Sequence, residues 1–198
     1  NKSILRLKKA IQKDEIGKVR IANIRVRWCR PDRYYKLAKW RGTFSHDGGA
    51  LSNQGIHHID LLRFLCGEVT KVFSLMKTLG ANIEVEDTAV GTFEFAKGGV
   101  GTIEVTTAAR PDDFEASLSI VGSKGLAQIG GKAVNELQIF SPNQKICKRF
   151  SEKFKNGYGY GHIKFYKDIK NTLESKNLIK FPISEKEVYN STKLLNSL

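Results

Sequence analysis

An amide, an imidazole and a carboxylate fall at helical spacing in the stretch Asp47-Gly48-Gly49-Ala50-Leu51-Ser52-Asn53-Gln54-Gly55-Ile56-His57-His58-Ile59-Asp60-Leu61-Leu62. Residues three or four apart share one face of a helix, so Asn53, His57 and Asp60 are expected to project together. The set suits proton transfer, with an imidazole to carry the proton and an amide beside it to orient the ring or a substrate hydroxyl. His57 is the candidate proton carrier and Asn53 its partner, while Asp60 reads as a structural carboxylate bonded to a neighbouring loop. His46 and His58 read as surface or packing residues. Because adjacent histidines point apart on a helix and an i, i+3 His–Asp pair is a weak ligand pattern, no metal is expected.

One helix over about 48–66 must carry these groups, capped by the Asp47 carboxylate and ended by Gly67. Gly55 inside it costs roughly 1 kcal/mol against Ala, which implies that another element approaches closely there. Residues 29–47 hold Pro31, five basic residues and the aromatics Tyr34, Tyr35, Trp40 and Phe44, a composition that suits a pocket-lining loop. Upstream, apolar residues at 4, 5, 7 and 11 mark a short helix, and Lys18 to Trp28 alternates as a strand with a bulge near Ala22-Asn23.

Downstream, strands are expected at about 69–79, 87–96, 99–108, 114–121, 125–130 and 136–140. Short turns such as Lys97-Gly98-Gly99 and Gly122-Ser123-Lys124-Gly125 make neighbours antiparallel. Thr92, Glu94, Thr102, Glu104 and Thr106 alternate with Phe93, Phe95, Ile103 and Val105, so one sheet face is left for water or a partner. After Gly157-Tyr-Gly-Tyr-Gly-His162 come helices over about 162–175 and 184–197, the second capped by Ser184 with Glu187 at the capping-box position.

At 198 residues the chain can bury a sizeable core, and it reads as a single domain over 1–198. With no apolar run near eighteen residues, a cytoplasmic setting without a membrane partner is expected. Cys29, Cys66 and Cys147 are odd in number and widely spaced, and read as reduced structural thiols. The net charge of +13 is scattered rather than gathered in one arm, which argues against nucleic acid and leaves two compatible readings, a lysine-rich surface that keeps the protein soluble and a field that draws in a small acidic substrate. The chain offers no GxGxxG after a strand, no GxxxxGK[ST] loop and no GxSxG elbow, so a dinucleotide cannot be cradled here by the usual device. It starts at Asn1 and its single methionine is Met76, so it is expected to be a piece of something longer.

Several marks together resemble the C-terminal substrate domain of the Gfo/Idh/MocA oxidoreductases. They are the opening helix with Gly17-Lys18-Val19, Trp40-Arg41-Gly42-Thr43, the Gly48-Gly49 helix with Asn53, His57 and Asp60-Leu61-Leu62, Glu86-Asp87-Thr88, the Gly122–Gly125 turn, and Gly161-His162. The resemblance implies an α+β fold, a large predominantly antiparallel (mixed) sheet with helices packed on one face and the other open for oligomerisation. It implies a cofactor, NAD or NADP, held mainly by an N-terminal Rossmann domain outside this chain, and a homodimer or homotetramer paired through the open face. It also implies roles: His57 and Asn53 catalytic; Arg30, Tyr35, Arg41, Gln54 and His162 on the substrate; Trp40 and Arg41 toward the cofactor. The Asn53-Gln54 pair, with Arg30-Pro31 and Tyr34-Tyr35, looks like the branch that oxidises the 3-hydroxyl of UDP-N-acetylglucosaminuronate.

Two positions depart from the family pattern: Asn53, where Asp is frequent, and Ser184-Glu-Lys-Glu187, where a glycine-containing turn is common. Readings from other classes are a catalytically silent sugar-binding or regulatory relative and a basic nucleic-acid-binding domain.

Overall fold

The computed structural model describes residues 1–131, 133–154, 159, 161–175 and 183–198. Within Gly157-Tyr-Gly-Tyr-Gly161, residues 157, 158 and 160 lie outside the described residues. The described elements run α1 (Lys2–Gln12), β1 (Val19–Arg27), α2 (Asp32–Tyr35), a π-turn (Leu51–Gly55), α3 (Ile56–Cys66), β2 (Val69–Lys77), β3 (Thr88–Phe95), β4 (Val100–Thr106), β5 (Glu115–Gly122), β6 (Leu126–Gly130), β7 (Glu136–Phe140), α4 (Cys147–Phe150), α5 (Gly161–Ser175) and α6 (Glu185–Leu195).

The fold is α+β, and the strands form one sheet in the order β2-β3-β4-β1-β5-β6-β7. Every pairing is antiparallel except β1 with β4, which run parallel with Ile24 opposite Ile103. Consecutive strands linked by tight turns pair as their turns dictate. The parallel pair is possible because β1 and β4 are not joined by a turn: α3, β2 and β3 lie between them in the chain. The strand irregularity falls between Val19 and Ile21, not at Ala22-Asn23, since Ala22 keeps the core side in step with Ile24 and Val26.

Alternation separates the two faces. Ile24, Val26, Leu118, Ile120, Ile103 and Val105 point to the core, where they meet Ile59, Leu62 and Leu65 of α3 and Leu7 and Ala10 of α1. The opposite face carries Thr92, Thr102 and Glu94, with Arg27 bonded to Glu104 at 2.5 Å and to Glu115 at 3.2 Å, and Asn23 donating to Thr102 at 2.7 Å. Phe73, Leu75 and Val90 lie exposed toward its β2 margin.

The helix runs unbroken over residues 49–66 but is not regular: Leu51–Gly55 is π-helical, and α3 proper begins at Ile56. Asp47 does not cap it: the Leu51 amide donates to Glu86 Oε1 at 2.9 Å instead. The reason is local geometry, because Gly49 at φ +89 turns the backbone onto the Glu86 carboxylate, where a Cβ would come within 1.8 Å of Oε2. Gly55 meets the expected close neighbour, with Val105 Cγ2 at 3.3 Å from the position of an added Cβ. Gly67 ends α3 at φ +95 but ψ −165, a positive φ outside the left-handed helical region.

α6 is docked on α3 by a polar network. Buried Arg63 donates to Glu68 Oε1 at 2.5 Å, Ser191 Oγ at 2.7 Å, and the Glu187 carbonyl at 3.1 Å. Asp60 therefore bonds Ser191 of a helix, at 2.6 Å, rather than a loop. Ser184 occupies the N-cap position of α6 without a side-chain cap bond, because the Glu187 carboxylate is turned to Arg63 at 3.3 Å instead of closing a capping box. Charged hydrogen bonds are worth about 1.5–3 kcal/mol, so Arg63→Ala is expected to destabilise by about 2 kcal/mol. Thermal melting should show a Tm lower by roughly 4–8 °C, only partly restored by Arg63→Lys, which lacks the planar fork. A Tm within about 1 °C of wild type would mean that the network does not hold α6.

Candidate functional site

The π-turn and α3 place the chemistry-bearing residues along one edge of the domain. His57 is exposed, Asn53 is half-buried, and Gln54 is buried on the flank shared with Leu51 and Gly55. A π-turn widens the helix by one residue per turn and is a device common at functional sites, since it re-aims side chains against an otherwise regular frame. Here it holds Asn53 and Gln54 immediately before the α-helical His57.

His58, the next residue, faces inward. Its ring stands edge-on to Trp28, 5.8 Å between centroids at 75°. Neither ring nitrogen makes a well-formed hydrogen bond among the described residues, and the Gln54 backbone is the polar neighbour. Burial therefore pushes its pKa down to about 4, with the Gln54 carbonyl acting weakly upward and neighbouring His57 downward. Packing, not catalysis, is its role.

The 29–47 loop forms the other side and is more ordered than its composition implies, because Asp32–Tyr35 makes a turn of helix. Aromatic rings and guanidinium groups alternate along it. Arg30 lies 5.3 Å from the Trp28 ring and 5.4 Å from that of Tyr34, and Arg41 lies 4.1 Å from Tyr34 and 4.9 Å from Trp40. Each contact is a cation–π pair that also fixes the plane of the guanidinium. The two arginines differ in electrostatic state. Arg30 is spoken for by Asp113 at 2.9 Å and by the Cys29 carbonyl at 2.8 Å. Among the described residues the Arg41 side chain makes no hydrogen bond or ion pair, and its buried Nε has no acceptor. Trp40, at the outer end of the ladder, is 43% exposed.

Tyr35 is tied inward, its hydroxyl 2.9 Å from Thr107 Oγ1, and burial raises its phenol above the ordinary value. His162 is exposed at the second position of α5. The structure links Asn53 through Asp47 to Gly42, next to Arg41 and Trp40, and leaves His57 exposed one turn after Asn53; Arg30 is tied to Asp113, Tyr35 to Thr107, and Gln54 is buried.

Three carboxylates that hold the site together were not read as its scaffold. Asp47 accepts from the Gly42 amide at 2.6 Å and from the Asn53 side chain. Glu86 takes the Leu51 amide, and burial raises its carboxyl above the usual range, with Asp47 and Asp87 acting in the same direction. Buried Asp87 accepts the amides of Leu79, Gly80 and Ala81 at 2.9, 2.6 and 3.0 Å and so closes the 78–87 loop. The Glu86-Asp87 pair ahead of a strand was the available signal. A shallow groove of ≈ 430 Å³ lined by Phe44, Gly48, Met76, Lys77 and Glu84–Glu86 lies nearby but contains none of the candidate residues. Cys66 and Cys147 are buried, and burial pushes the Cys66 thiol up to about 12, which keeps it protonated and inert.

Residues 4–128, well over half of the chain, match the model of the GFO/IDH/MocA C-terminal domain. The chain belongs to this family. Two solved GFO/IDH/MocA-like structures cover all of it: the WlbA dehydrogenase from Bordetella pertussis in complex with NADH and UDP-GlcNAcA, at 33% identity and TM-score 0.88, and the WlbA dehydrogenase from Chromobacterium violaceum in complex with the same two molecules, at 36% identity and TM-score 0.87. The chain spans 58% and 56% of their lengths. Levoglucosan dehydrogenase in complex with NADH and levoglucosan matches over 69% of this chain and 39% of its own, at 24% identity and TM-score 0.62, a likeness of fold. No curated protein matches the sequence. The helices on one side of a mostly antiparallel sheet are therefore the family's C-terminal domain, and among its described residues no helix is long and apolar enough to cross a membrane.

Proposed function

We propose that this chain is the substrate-binding half of an NAD(P)-dependent dehydrogenase that oxidises a secondary hydroxyl of a UDP-sugar, the 3-hydroxyl of UDP-N-acetylglucosaminuronate being the best candidate. The observation that supports the reading is the match of this whole chain to 58% and 56% of two WlbA dehydrogenases held with NADH and UDP-GlcNAcA, combined with half-buried Asn53 and exposed His57 one turn apart.

The residues present fit such a ligand set. Arg41 has a fixed plane and an unbonded Nε, so it suits a phosphate or carboxylate, and Trp40 offers a half-exposed indole face to a planar ring. A bound nicotinamide would supply the hydride acceptor. This chain supplies the rest: His57 takes the hydroxyl proton as the carbinol hydrogen leaves as hydride, Asn53 orients the hydroxyl, and Arg41 holds the anionic part of the substrate. Its excess of positive charge draws in an anionic sugar nucleotide, whose diphosphate and carboxylate are both negative.

The test is NADH formation by the full-length enzyme. Turnover is expected with UDP-N-acetylglucosaminuronate and not with UDP-N-acetylglucosamine, free glucose or inositol. Absence of turnover with every sugar, alongside retained sugar binding, would make the protein a silent binder; turnover of inositol or glucose would move it to another branch.

The open sheet face belongs to the same reading as the place where two copies pair. Its centre is polar and self-complementary in kind, with Thr92, Thr102, Arg27 and Glu104, and its β2 margin carries Phe73 and Leu75. Interfaces need be no more apolar than ordinary surface. Light scattering is expected to give the mass of two or four chains and Thr102→Arg to reduce it to one. A single-chain mass for the wild type would leave the face to solvent.

A further inference from the structure

Asp47 uses its two oxygens on different parts of the site. Oδ2 accepts the Gly42 amide, and Oδ1 accepts the Asn53 side chain. A carboxylate has acceptors only, so the Asn53 atom that faces it must be Nδ2. The amide orientation is here fixed by chemistry. Asn53 Oδ1 is consequently turned away from Asp47 as an acceptor.

The Gly42 side of the bond is equally constrained. Gly42 sits at φ +73, a Cβ there would meet Ile83 Cγ2 at 2.7 Å, and its carbonyl accepts the Glu84 amide at 3.0 Å. Arg41 immediately precedes it, in the aromatic ladder. One carboxylate thus joins the residue after Arg41 to the amide one turn before His57.

We propose that Asp47 is a positioning residue for the dehydrogenation: it presents Asn53 as a hydrogen-bond acceptor to a donating hydroxyl of the bound sugar, and through Gly42 keeps Arg41 in register with that acceptor. This rests on the reading that Asn53 and Arg41 face the substrate. It also gives a physical reason for Asn at position 53, since a carboxylate there would face the Asp47 carboxylate directly and one of the two would have to take up a proton.

Two measurements test it. In the 15N-labelled chain, hydrogen exchange of the Asn53 side-chain amide should speed up by about tenfold in Asp47→Ser, the equivalent of one charge-assisted hydrogen bond lost. In the full-length enzyme, Asp47→Asn, which lets the Asn53 amide flip, should lower kcat by about tenfold at unchanged Tm. Asn53→Asp should lose activity as pH rises through the titration of the shared proton, and the swap D47N/N53D should remove that pH dependence.

Equal exchange rates with and without Asp47 would overturn the proposal. So would Asp47→Asn with wild-type kcat and KM, or with a lowered Tm and intact kcat, which would leave Asp47 as a loop staple. A wild-type enzyme that oxidises no UDP-sugar overturns the functional reading beneath, while the exchange rates still decide the orientation of Asn53.

Discussion

His57→Gln in the full-length enzyme is expected to lower kcat by about 10²-fold or more while leaving KM for the sugar nucleotide within about threefold. Gln keeps much of the volume and can still donate and accept a hydrogen bond, so the loss isolates proton transfer from shape. His57 is exposed on α3, one turn after Asn53, and its replacement breaks no contact in the core. The variant should therefore melt with the wild type. An unchanged kcat would remove His57 from the mechanism, and a lowered Tm would show that the ring supports structure instead. The neighbouring His58 is the natural control, because its replacement should change stability first.

Acidification is expected to cost this domain about 3 kcal/mol at His58 alone between pH 6.5 and 4. The ring is buried without a well-formed hydrogen bond among the described residues and its pKa is pushed down to about 4. In the unfolded chain it titrates near 6.5. Between those values the unfolded state binds a proton that the folded state refuses, so stability rises with pH across this window and is lost on acidification. Spread over a chain of this size, the loss corresponds to a Tm lower by roughly 6–12 °C at pH 4 than at pH 7. Half-buried Glu86 acts in the opposite sense, since its raised carboxyl favours the protonated form on folding, whereas Glu68 and Glu104 are held low by Arg63 and Arg27 and lose their bonds below the usual carboxylate range. The difference between wild type and His58→Leu isolates the histidine. Melting curves whose pH slope is the same in both proteins would show that His58 titrates normally in the fold.

The sequence by itself determined the sheet and the identity of the helix that matters. Period-two alternation at 88–95 and 100–106 admits one solution, because shifting either strand by a residue would bury Thr92 and Thr102 and expose Phe93 and Ile103. Tight turns then made the neighbours antiparallel. Helical spacing was enough to bring Asn53 and His57 to one side of one element.

Tertiary structure decided what each polar group bonds. Asp47 and Ser184 sit where local rules place caps, yet Glu86 and Arg63 arrive from elsewhere in the chain with stronger claims: the Leu51 amide goes to a carboxylate 35 residues away, and Glu187 turns to a buried guanidinium 124 residues away. The same cause separates Arg30 from Arg41, which read alike as loop arginines, because Asp113 reaches the first and no described carboxylate reaches the second. Side-chain spacing reports the face a residue occupies; which partner it finds there depends on charges brought together only when β1 enters the middle of the sheet and α6 closes on α3.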